Sequence, residues 1–321
     1  MQSSKNISLI IKLSIVILAF YFLYKKVFAN ENLIEMYNWF LNTLRNQSFY
    51  PLVIVFLLMF LNWILDAIKW KYIIKKIEIV SLWLSIKAVF LGITVSIFTP
   101  NRIGEFGGRI FCLKSADRIK GVIITILGNV AQLLVTIIFG SIAFLFYIKR
   151  FDSFFIFYEK YYLLLIIIFI FLSILIFLFI NTSFLIQLLN KFSFLRKYKD
   201  YINVFSFFTK KELLNVILLS MLRYMVFSLQ YFILLLFFEV DINFFDSLIM
   251  SSLVFFTISI IPTIAITEIG VRGSLAIYFF GLISSNNIGI LTATFSLWIV
   301  NLVLPALIGI IFVYNLKFFR S

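Results

Sequence analysis

Long apolar runs, rich in Phe, Ile and Leu, recur along this chain of 321 residues, which is 63% hydrophobic and 13% charged. Such runs are long enough for a helix to cross the ~30 Å hydrocarbon core of a bilayer. They show no alternation of period two, which argues against an outer-membrane barrel. The sequence therefore predicts an all-α polytopic membrane protein with about six full spans, at roughly residues 7–28, 51–68, 121–147, 161–181, 213–238 and 290–314.

The composition excludes several classes of function. Histidine is absent and Cys112 is the one cysteine, so Ser-His-Asp and Cys-His catalysis, disulfides within the chain and cysteine metal clusters are not possible. The formal net charge of +14 would point to nucleic acid in a soluble protein. In a membrane protein basic loops fix the orientation, so we expect no nucleic-acid partner. The lack of histidine and the single cysteine also lead us to expect no metal site, and we expect no cofactor.

Two further apolar stretches, residues 82–113 and 248–283, are interrupted by polar motifs. If both stretches are re-entrant, one side of the membrane holds 18 of the 28 Lys and Arg residues and the other side holds six. This distribution follows the positive-inside rule and places both termini in the cytoplasm. A single crossing per stretch would put the basic loop 191–211 outside, whereas two short crossings would fit the charges equally well.

This topology relates the two halves of one transmembrane domain, residues 1–321, by inversion in the membrane plane. The halves cover about residues 7–147 and 161–314, and their interrupted stretches enter the membrane from opposite sides. Many secondary transporters use such inverted repeats and bind substrate near the midplane with discontinuous helices. We therefore expect the two polar motifs to build one shared site.

The first motif reads Thr-Pro-Asn-Arg-Ile-Gly-Glu-Phe-Gly-Gly-Arg over residues 99–109. Arg102 and Arg109 supply positive charge with bidentate geometry, which favours an anion, and Glu105 would pair with an arginine, bind a cationic group or exchange a proton. Alternatively, the Arg and Glu side chains neutralise each other and only hold the turn. Proline lacks a backbone donor and glycine permits close approach, so the predicted helix-breaking residues are Pro100, Gly104, Gly107 and Gly108.

The second motif reads Ile-Pro-Thr-Ile-Ala-Ile-Thr-Glu-Ile-Gly-Val-Arg-Gly over residues 261–273. It repeats Glu-x-Gly-x-Arg with Glu268 and Arg272. A purely structural turn has little need of the same pattern twice, so the duplication favours a functional interpretation. The predicted helix-breaking residues of this motif are Pro262, Gly270 and Gly273.

Other polar residues occur inside predicted spans. Arg223 shares a helical face with Gln230 and is expected to point into the bundle, where an anionic headgroup or a glutamate would pair with it.

Basic residues after span two are predicted to orient the protein or to recruit anionic headgroups: Lys69, Lys71, Lys75 and Lys76. Interhelical hydrogen bonds are predicted for Asn62 with Asp66, Asn129 with Gln132, and Asn301, with a position at the cytoplasmic interface as the alternative for Asp66.

The motifs resemble a known family. Thr-Pro-x-Arg-x-Gly-Glu followed by Arg109, with Pro262 and the Gly-Val-Arg at 270–272, is similar to the transmembrane region of lysylphosphatidylglycerol synthases, which defines a larger group of flippase-like proteins. The resemblance covers about residues 10–315. Here the acid precedes the second arginine instead of following it, and we expect no aminoacyl-transferase domain after the last span. The resemblance therefore implies lipid translocation and does not imply lipid lysylation.

We accordingly predict a lipid translocase of the cell (inner) membrane, of bacterial origin, that is not an enzyme. It is expected to bind an anionic or aminoacylated phospholipid, or a polyprenyl-phosphate headgroup. The alternative is a non-transporting accessory subunit of a lipid-linked glycosyl or aminoacyl transferase, which would then be a partner besides membrane lipids. A membrane-embedded transferase with Glu105 as base is a third, weaker hypothesis. The predicted substrate-binding residues are Arg102, Glu105, Arg109, Arg223, Glu268 and Arg272.

Overall fold

The computed structural model describes residues 33–97, 99, 102–151, 158–192, 199–261 and 268–313, and every regular element among them is helical. The predicted span 7–28 and the predicted helix breakers Pro100 and Pro262 lie outside the described residues. A π turn, Ile299–Val303, joins the last two helices. In chain order the helices are α1 (Leu33–Asn46), α2 (Tyr50–Ile74), α3 (Leu82–Ser96), α4 (Gly104–Ile110), α5 (Arg118–Phe151), α6 (Tyr158–Ile180), α7 (Thr182–Lys191), α8 (Lys199–Ile202), α9 (Lys210–Phe237), α10 (Phe244–Ile260), α11 (Glu268–Phe280), α12 (Asn287–Trp298) and α13 (Leu304–Val313).

Five helical segments in the described part of the chain are long and apolar enough to cross a membrane. Each overlaps a predicted span, so the protein is a multi-pass membrane protein, as predicted. Among the described side chains of α6 only Phe179 is buried, as expected for a helix that faces lipid. The five segments are α2, α5, α6 over Tyr161–Ile180, α9, and Asn287–Val313, which contains α12, the π turn and α13.

Helix α2 continues beyond its predicted boundary. The sequence analysis ended this span at residue 68 because lysines follow, but α2 reaches Ile74 and leaves Lys69 only 2% exposed. The predicted boundary and the assignment of Lys69 to the following loop are therefore wrong. The physical reason is Asp66, whose Oδ1 lies 3.1 Å from Lys69 Nζ and compensates the buried ammonium group.

Each interrupted stretch forms a pair of short helices. Helix α3 packs on α4, and α10 packs on α11. Each pair also packs against the other half of the chain, since α3 contacts α13 and α10 contacts α5. The helices that precede the two pairs, α2 and α9, pack directly on each other. Each helix pair therefore contacts a helix from the other half of the chain.

Two hydrophobic cores support the bundle. The first is built mainly on α2, α3, α5, the π turn and α13, and the second on α9 to α12. Trp70 in the first core is fully buried, and its Nε1 donates to Thr125 Oγ1 at 3.1 Å. The buried indole N–H thus has a hydrogen-bond acceptor, as buried tryptophan side chains usually do. Residues of α2, α5 and α9 contribute to both cores.

Helices α3 and α4 cross so closely that one position of the first motif requires glycine. A Cβ added to Gly108 would lie 2.6 Å from Gly92 Cα and 2.7 Å from Leu91 O, and both are main-chain atoms. The neighbouring Gly107 has room for a side chain, since the nearest atom to its added Cβ is Phe111 Cε2 at 3.9 Å, an ordinary van der Waals distance. Two adjacent glycines of one motif therefore have different roles.

We expect Gly108→Ala to lower the free energy of unfolding by about 1–3 kcal/mol, because the added methyl group forces the two helices apart. Gly107→Ala is the matched control. It should leave stability unchanged or raise it by up to ~1 kcal/mol, since alanine favours the helix. Thermal unfolding of both variants in detergent measures the difference, and equal effects would contradict the close crossing.

Glu78 stabilises the connection between α4 and α5. Its carboxylate accepts hydrogen bonds from the backbone amides of Lys114 at 2.9 Å, Ser115 at 2.8 Å and Ala116 at 2.8 Å. Burial acts to raise the pKa of this carboxyl group, but the amide donors outweigh it and hold the pKa below its usual value.

Because the folded pKa of Glu78 is lowered, its ionised form stabilises the protein above the ordinary pKa of 4.5, and this contribution is lost as the pH falls through the folded pKa. We expect Glu78→Gln to unfold at a lower temperature than the unsubstituted protein at pH 7. The two unfolding temperatures should converge in acid below pH 4.5. Glu35→Gln, at an exposed position, serves as the control. A difference that does not change with pH would contradict this role.

Candidate functional site

The first motif forms a tight turn between α3 and α4. Thr99 Oγ1 accepts a hydrogen bond from the Gly104 amide at 2.8 Å and donates one to Ser96 O at 3.1 Å. A Cβ on Gly104 would lie 2.5 Å from Val95 O, so this position also requires glycine. Arg102 has a φ of 58°, in the left-handed region that costs an L-residue roughly 1–2 kcal/mol. Such strain persists where the surroundings hold it, and it often occurs at functional sites.

A cavity of about 620 Å³ lies beside this turn. Its walls come from α2 to α5 and from α9 to α12, and therefore from both predicted halves. Volumes in this range are typical of small-molecule sites, at about 300–1,000 Å³. Its charged lining residues are Arg102, Glu105, Arg223 and Arg272, and its aromatic lining residues are Trp63, Phe106, Tyr224, Phe227, Tyr231, Phe255 and Trp298.

Asp66, on α2, organises the charges next to the cavity. It is fully buried, and its carboxylate lies 3.1 Å from Lys69 Nζ, 2.9 Å from Arg223 Nη1 and 2.5 Å from Arg109 Nη2. Arg109 is itself 1% exposed and also binds the carboxylate of Glu105, one turn earlier on α4. Asp66 is the carboxylate that all three cations share, so its loss would leave buried positive charge without this partner.

Arg223, on α9, is held in place by several contacts. Its Nε donates to Asn62 Oδ1 at 3.0 Å, and its guanidinium lies 4.6 Å from the centre of the Trp63 ring. Asn62 in turn donates to Asn301 Oδ1 at 3.1 Å. Asn301 lies in the π turn between α12 and α13, a kind of distortion that is frequent at functional sites. These contacts connect α2, α9 and the last span around one arginine.

The second motif contributes Arg272 to the same cavity. Arg272 also lines a second cavity of about 170 Å³, together with Gly270 and Gly273. A Cβ on Gly270 would meet no atom within 4 Å, and one on Gly273 would lie 3.1 Å from Leu291 Cδ2. Gly270 therefore borders open space, in contrast to Gly108, whereas a side chain at Gly273 would require Leu291 to shift. Glu268 begins α11, and its side chain lies outside the described ones.

The structure brings most of the predicted site residues together. Arg109 does not line the cavity; it lies behind Glu105 and binds Asp66. The predicted substrate-binding residues that do line the cavity are Arg102, Glu105, Arg223 and Arg272.

The sequence analysis did not select Asp66 and Lys69 as site residues. It considered Asp66 a hydrogen-bonding or interface residue and placed Lys69 in a loop. Asn62, Asp66 and Lys69 are spaced i, i+4, i+7, which puts all three on one helical face. Extending span two by two turns would have shown this charged face.

Comparison with models of protein families identifies the family to which this chain belongs. The model of the family described as Lysylphosphatidylglycerol synthase TM region matches residues 9–315. The chain belongs to this family. Neither the curated proteins nor the solved structures give a significant match. The resemblance inferred from the motifs is thus confirmed, and the match includes every helix that lines the cavity of this lysylphosphatidylglycerol synthase TM-region protein.

In this member of the lysylphosphatidylglycerol synthase TM-region family, the cavity combines guanidinium groups with aromatic and aliphatic walls. Guanidinium groups bind phosphate oxygens in a bidentate manner and stack on aromatic faces, as Arg223 does on Trp63. Among the residues that the structure describes, no group of three His, Cys, Asp or Glu side chains is placed to hold a metal ion. The cavity therefore places guanidinium groups next to apolar walls.

Proposed function

We propose that this protein is a lipid translocase that binds a phosphate-containing headgroup in the cavity of about 620 Å³. The observation that carries the proposal is that Arg102, Arg223 and Arg272, from both motifs and from α9, line one cavity. Membership in a family named for the membrane region of a lipid synthase supports a role in lipid handling. The candidate lipids are an anionic or aminoacylated phospholipid and a polyprenyl phosphate.

We further propose that the two halves form an inverted repeat, with re-entrant pairs α3–α4 and α10–α11. The exchange of packing partners between the halves supports this arrangement, since α3 contacts α13 and α10 contacts α5. The seven residues of α4 span only about 10 Å, too little to cross ~30 Å of hydrocarbon, which favours re-entry over two crossings. In inverted-repeat transporters the substrate site lies between the halves, and their rocking exposes it to alternate sides.

The charge distribution of the loops supports cytoplasmic termini, and we propose that the protein resides in the inner membrane of a bacterium. In this orientation the C-terminal end of α2 and the N-terminal end of α9 face the cytoplasm. Lys76 and Glu212 join these two ends through a salt bridge of 2.9 Å. The basic residues at this surface would bind the phosphates of the cytoplasmic leaflet.

Reconstitution into liposomes tests the proposed function. Fluorescent anionic, zwitterionic and aminoacylated lipids would be placed in the inner leaflet, and their appearance in the outer leaflet would be followed by chemical quenching. We expect exchange of one headgroup class to be more than tenfold faster than in protein-free liposomes. Absence of exchange from folded protein would refute translocation and favour the accessory-subunit hypothesis. Co-purification of one stoichiometric transferase would then support that hypothesis.

A further inference from the structure

We infer that α7 and the start of α9 form a second phospholipid site at the membrane interface, which binds a lipid of the adjacent leaflet through its phosphate group. The site is a cavity of about 440 Å³. Among the described residues, its lining shares no member with that of the cavity of about 620 Å³. The inference therefore goes beyond the proposed function, and it does not depend on whether any lipid crosses the membrane.

The first argument is the depth at which α7 begins. The apolar part of α6, Tyr161–Ile180, has 20 residues and is long enough to cross a membrane. At 1.5 Å per residue it spans about 30 Å, which is the thickness of the hydrocarbon core. Asn181 alone separates α6 from α7, so α7 begins where the hydrocarbon ends. At this depth α7 packs on the short 3-10 helix Asn203–Phe207, which precedes α9.

The second argument is the pattern of exposed side chains on α7. Phe184 and Leu188, four residues apart on one helical face, are 48% and 36% exposed. Ser183 and Gln187 form an exposed polar stripe beside them. The ring of Phe184 lies 5.7 Å from the ring of Phe177, an exposed residue of α6, so the apolar stripe continues the lipid-facing surface of α6. Adjacent apolar and polar stripes at this depth are typical of a helix that lies in the membrane interface.

The third argument is the chemistry of the cavity between α7 and the start of α9. Ser183, Gln187 and Lys210 are exposed and carry O–H or N–H donors suited to phosphate oxygens. Phe208 lines the cavity and belongs to the first hydrophobic core, so one wall is fixed to the bundle. The polar lining residues are Asn181, Thr182, Ser183, Gln187, Thr209 and Lys210.

The charge of the surrounding sequence favours an anionic lipid. Residues 182–212 carry six Lys and Arg side chains and two acids, Asp200 and Glu212. Glu212 already binds Lys76 of α2 at 2.9 Å. Basic segments next to a membrane attract anionic headgroups, and an exposed apolar stripe beside them holds the acyl chains of the same lipid. We therefore expect phosphatidylglycerol to occupy this site in preference to a zwitterionic lipid.

Photo-cross-linking tests this inference. Phosphatidylglycerol with a diazirine close to its glycerol backbone would be titrated into nanodiscs of phosphatidylcholine that contain the protein, and labelled peptides would be identified by mass spectrometry. We expect saturable labelling of residues 177–187 and 208–210, which include the lining of the cavity. Labelling that rises in proportion to the mole fraction of the probe, without saturation, would overturn the inference, because it would show lipid that only surrounds the protein.

Charge variants sharpen the test. Lys210→Gln should raise the half-saturating mole fraction of the probe about fivefold, the effect expected for one basic residue near a membrane surface. Lys149→Gln removes an exposed positive charge at the C-terminal end of α5, outside this cavity, and should leave that value unchanged. An unchanged value in Lys210→Gln, or an equal shift in both variants, would overturn the inference.

A soluble competitor identifies the source of the phosphate. Glycerophosphoglycerol has the same headgroup as phosphatidylglycerol but lacks acyl chains, so we expect it not to displace the probe. Displacement by the soluble compound would show a site for a soluble phosphate ester and would overturn the assignment to a membrane lipid.

Spin labels measure the depth of α7 independently of ligand binding. Gln187→Cys and Leu188→Cys, each in a Cys112→Ala background, place labels on the polar and on the apolar stripe. We expect molecular oxygen to relax the label at position 188 more strongly, and an aqueous nickel chelate to relax the label at position 187 more strongly, because oxygen concentrates in hydrocarbon. Equal relaxation of the two labels by both reagents would show that α7 does not lie in the interface and would overturn the inference.

Discussion

Asp66→Asn is expected to lower the free energy of unfolding by about 3–5 kcal/mol, the range for removing one partner of a buried ion pair. Asparagine preserves the shape of the side chain, so the loss reports charge and not packing. It would leave Lys69, Arg109 and Arg223 in the bundle interior without the carboxylate that contacts all three. Thermal or denaturant unfolding of the purified protein in detergent measures the effect.

The matched control for this prediction is Asp241→Asn, which removes the same charge at an exposed position. We expect it to change stability by no more than about 0.5 kcal/mol. Adding Lys69→Met to Asp66→Asn should recover part of the loss, because one uncompensated cation is then absent. Strictly additive losses in the double variant would show that the two residues are not coupled, contrary to the contact between them.

Arg102→Ala and Arg272→Ala are expected to reduce lipid exchange at least tenfold while the protein remains expressed and folded. A hydrogen bond to a charged group contributes about 1.5–3 kcal/mol, and about 1.4 kcal/mol corresponds to a factor of ten in affinity. Both arginines line the cavity, so each loss removes positive charge from the proposed phosphate site. The liposome assay compares the initial exchange rate of each variant with that of the unsubstituted protein.

Two further variants distinguish a specific role from a general effect of charge. Arg272→Lys keeps the charge but loses the bidentate geometry, and we expect it to retain only part of the exchange activity. Lys149→Ala removes an exposed positive charge at the C-terminal end of α5, outside the cavity, and should exchange lipid at the unsubstituted rate. Unchanged rates in both Arg102→Ala and Arg272→Ala would refute the proposed site, even if other residues support transport.

The two motifs show how far a repeated pattern predicts a repeated structure. Glu105 and Arg109 form an i,i+4 ion pair on α4, as the structural alternative in the sequence analysis supposed. Arg102 and Arg272 nevertheless line the cavity, as the functional interpretation requires. Spacing within a motif indicates which residues share a helical face. It does not indicate whether a carboxylate from another helix will bury one of them.

The glycines of the first motif also show that a sequence pattern does not indicate the tertiary environment of each residue. The sequence treats Gly104, Gly107 and Gly108 alike as helix breakers, but they differ in the space beside them. A side chain on Gly104 or Gly108 would collide with the main chain of α3, whereas Gly107 has room for one. A requirement for glycine depends on the distance to a neighbouring helix, and that distance is set by how the bundle packs.

The sequence by itself determined the membrane class, the family and the approximate positions of the five long apolar helical segments that the structure describes. Hydropathy averaged over a whole span is insensitive to detail, and hydrocarbon forces the backbone to satisfy its hydrogen bonds within helices. Only the tertiary structure decided the partner of each charge. Asp66 contacts Arg109 and Arg223 from 43 and 157 residues away, and helical periodicity specifies the face of a residue but not the helix that packs against it.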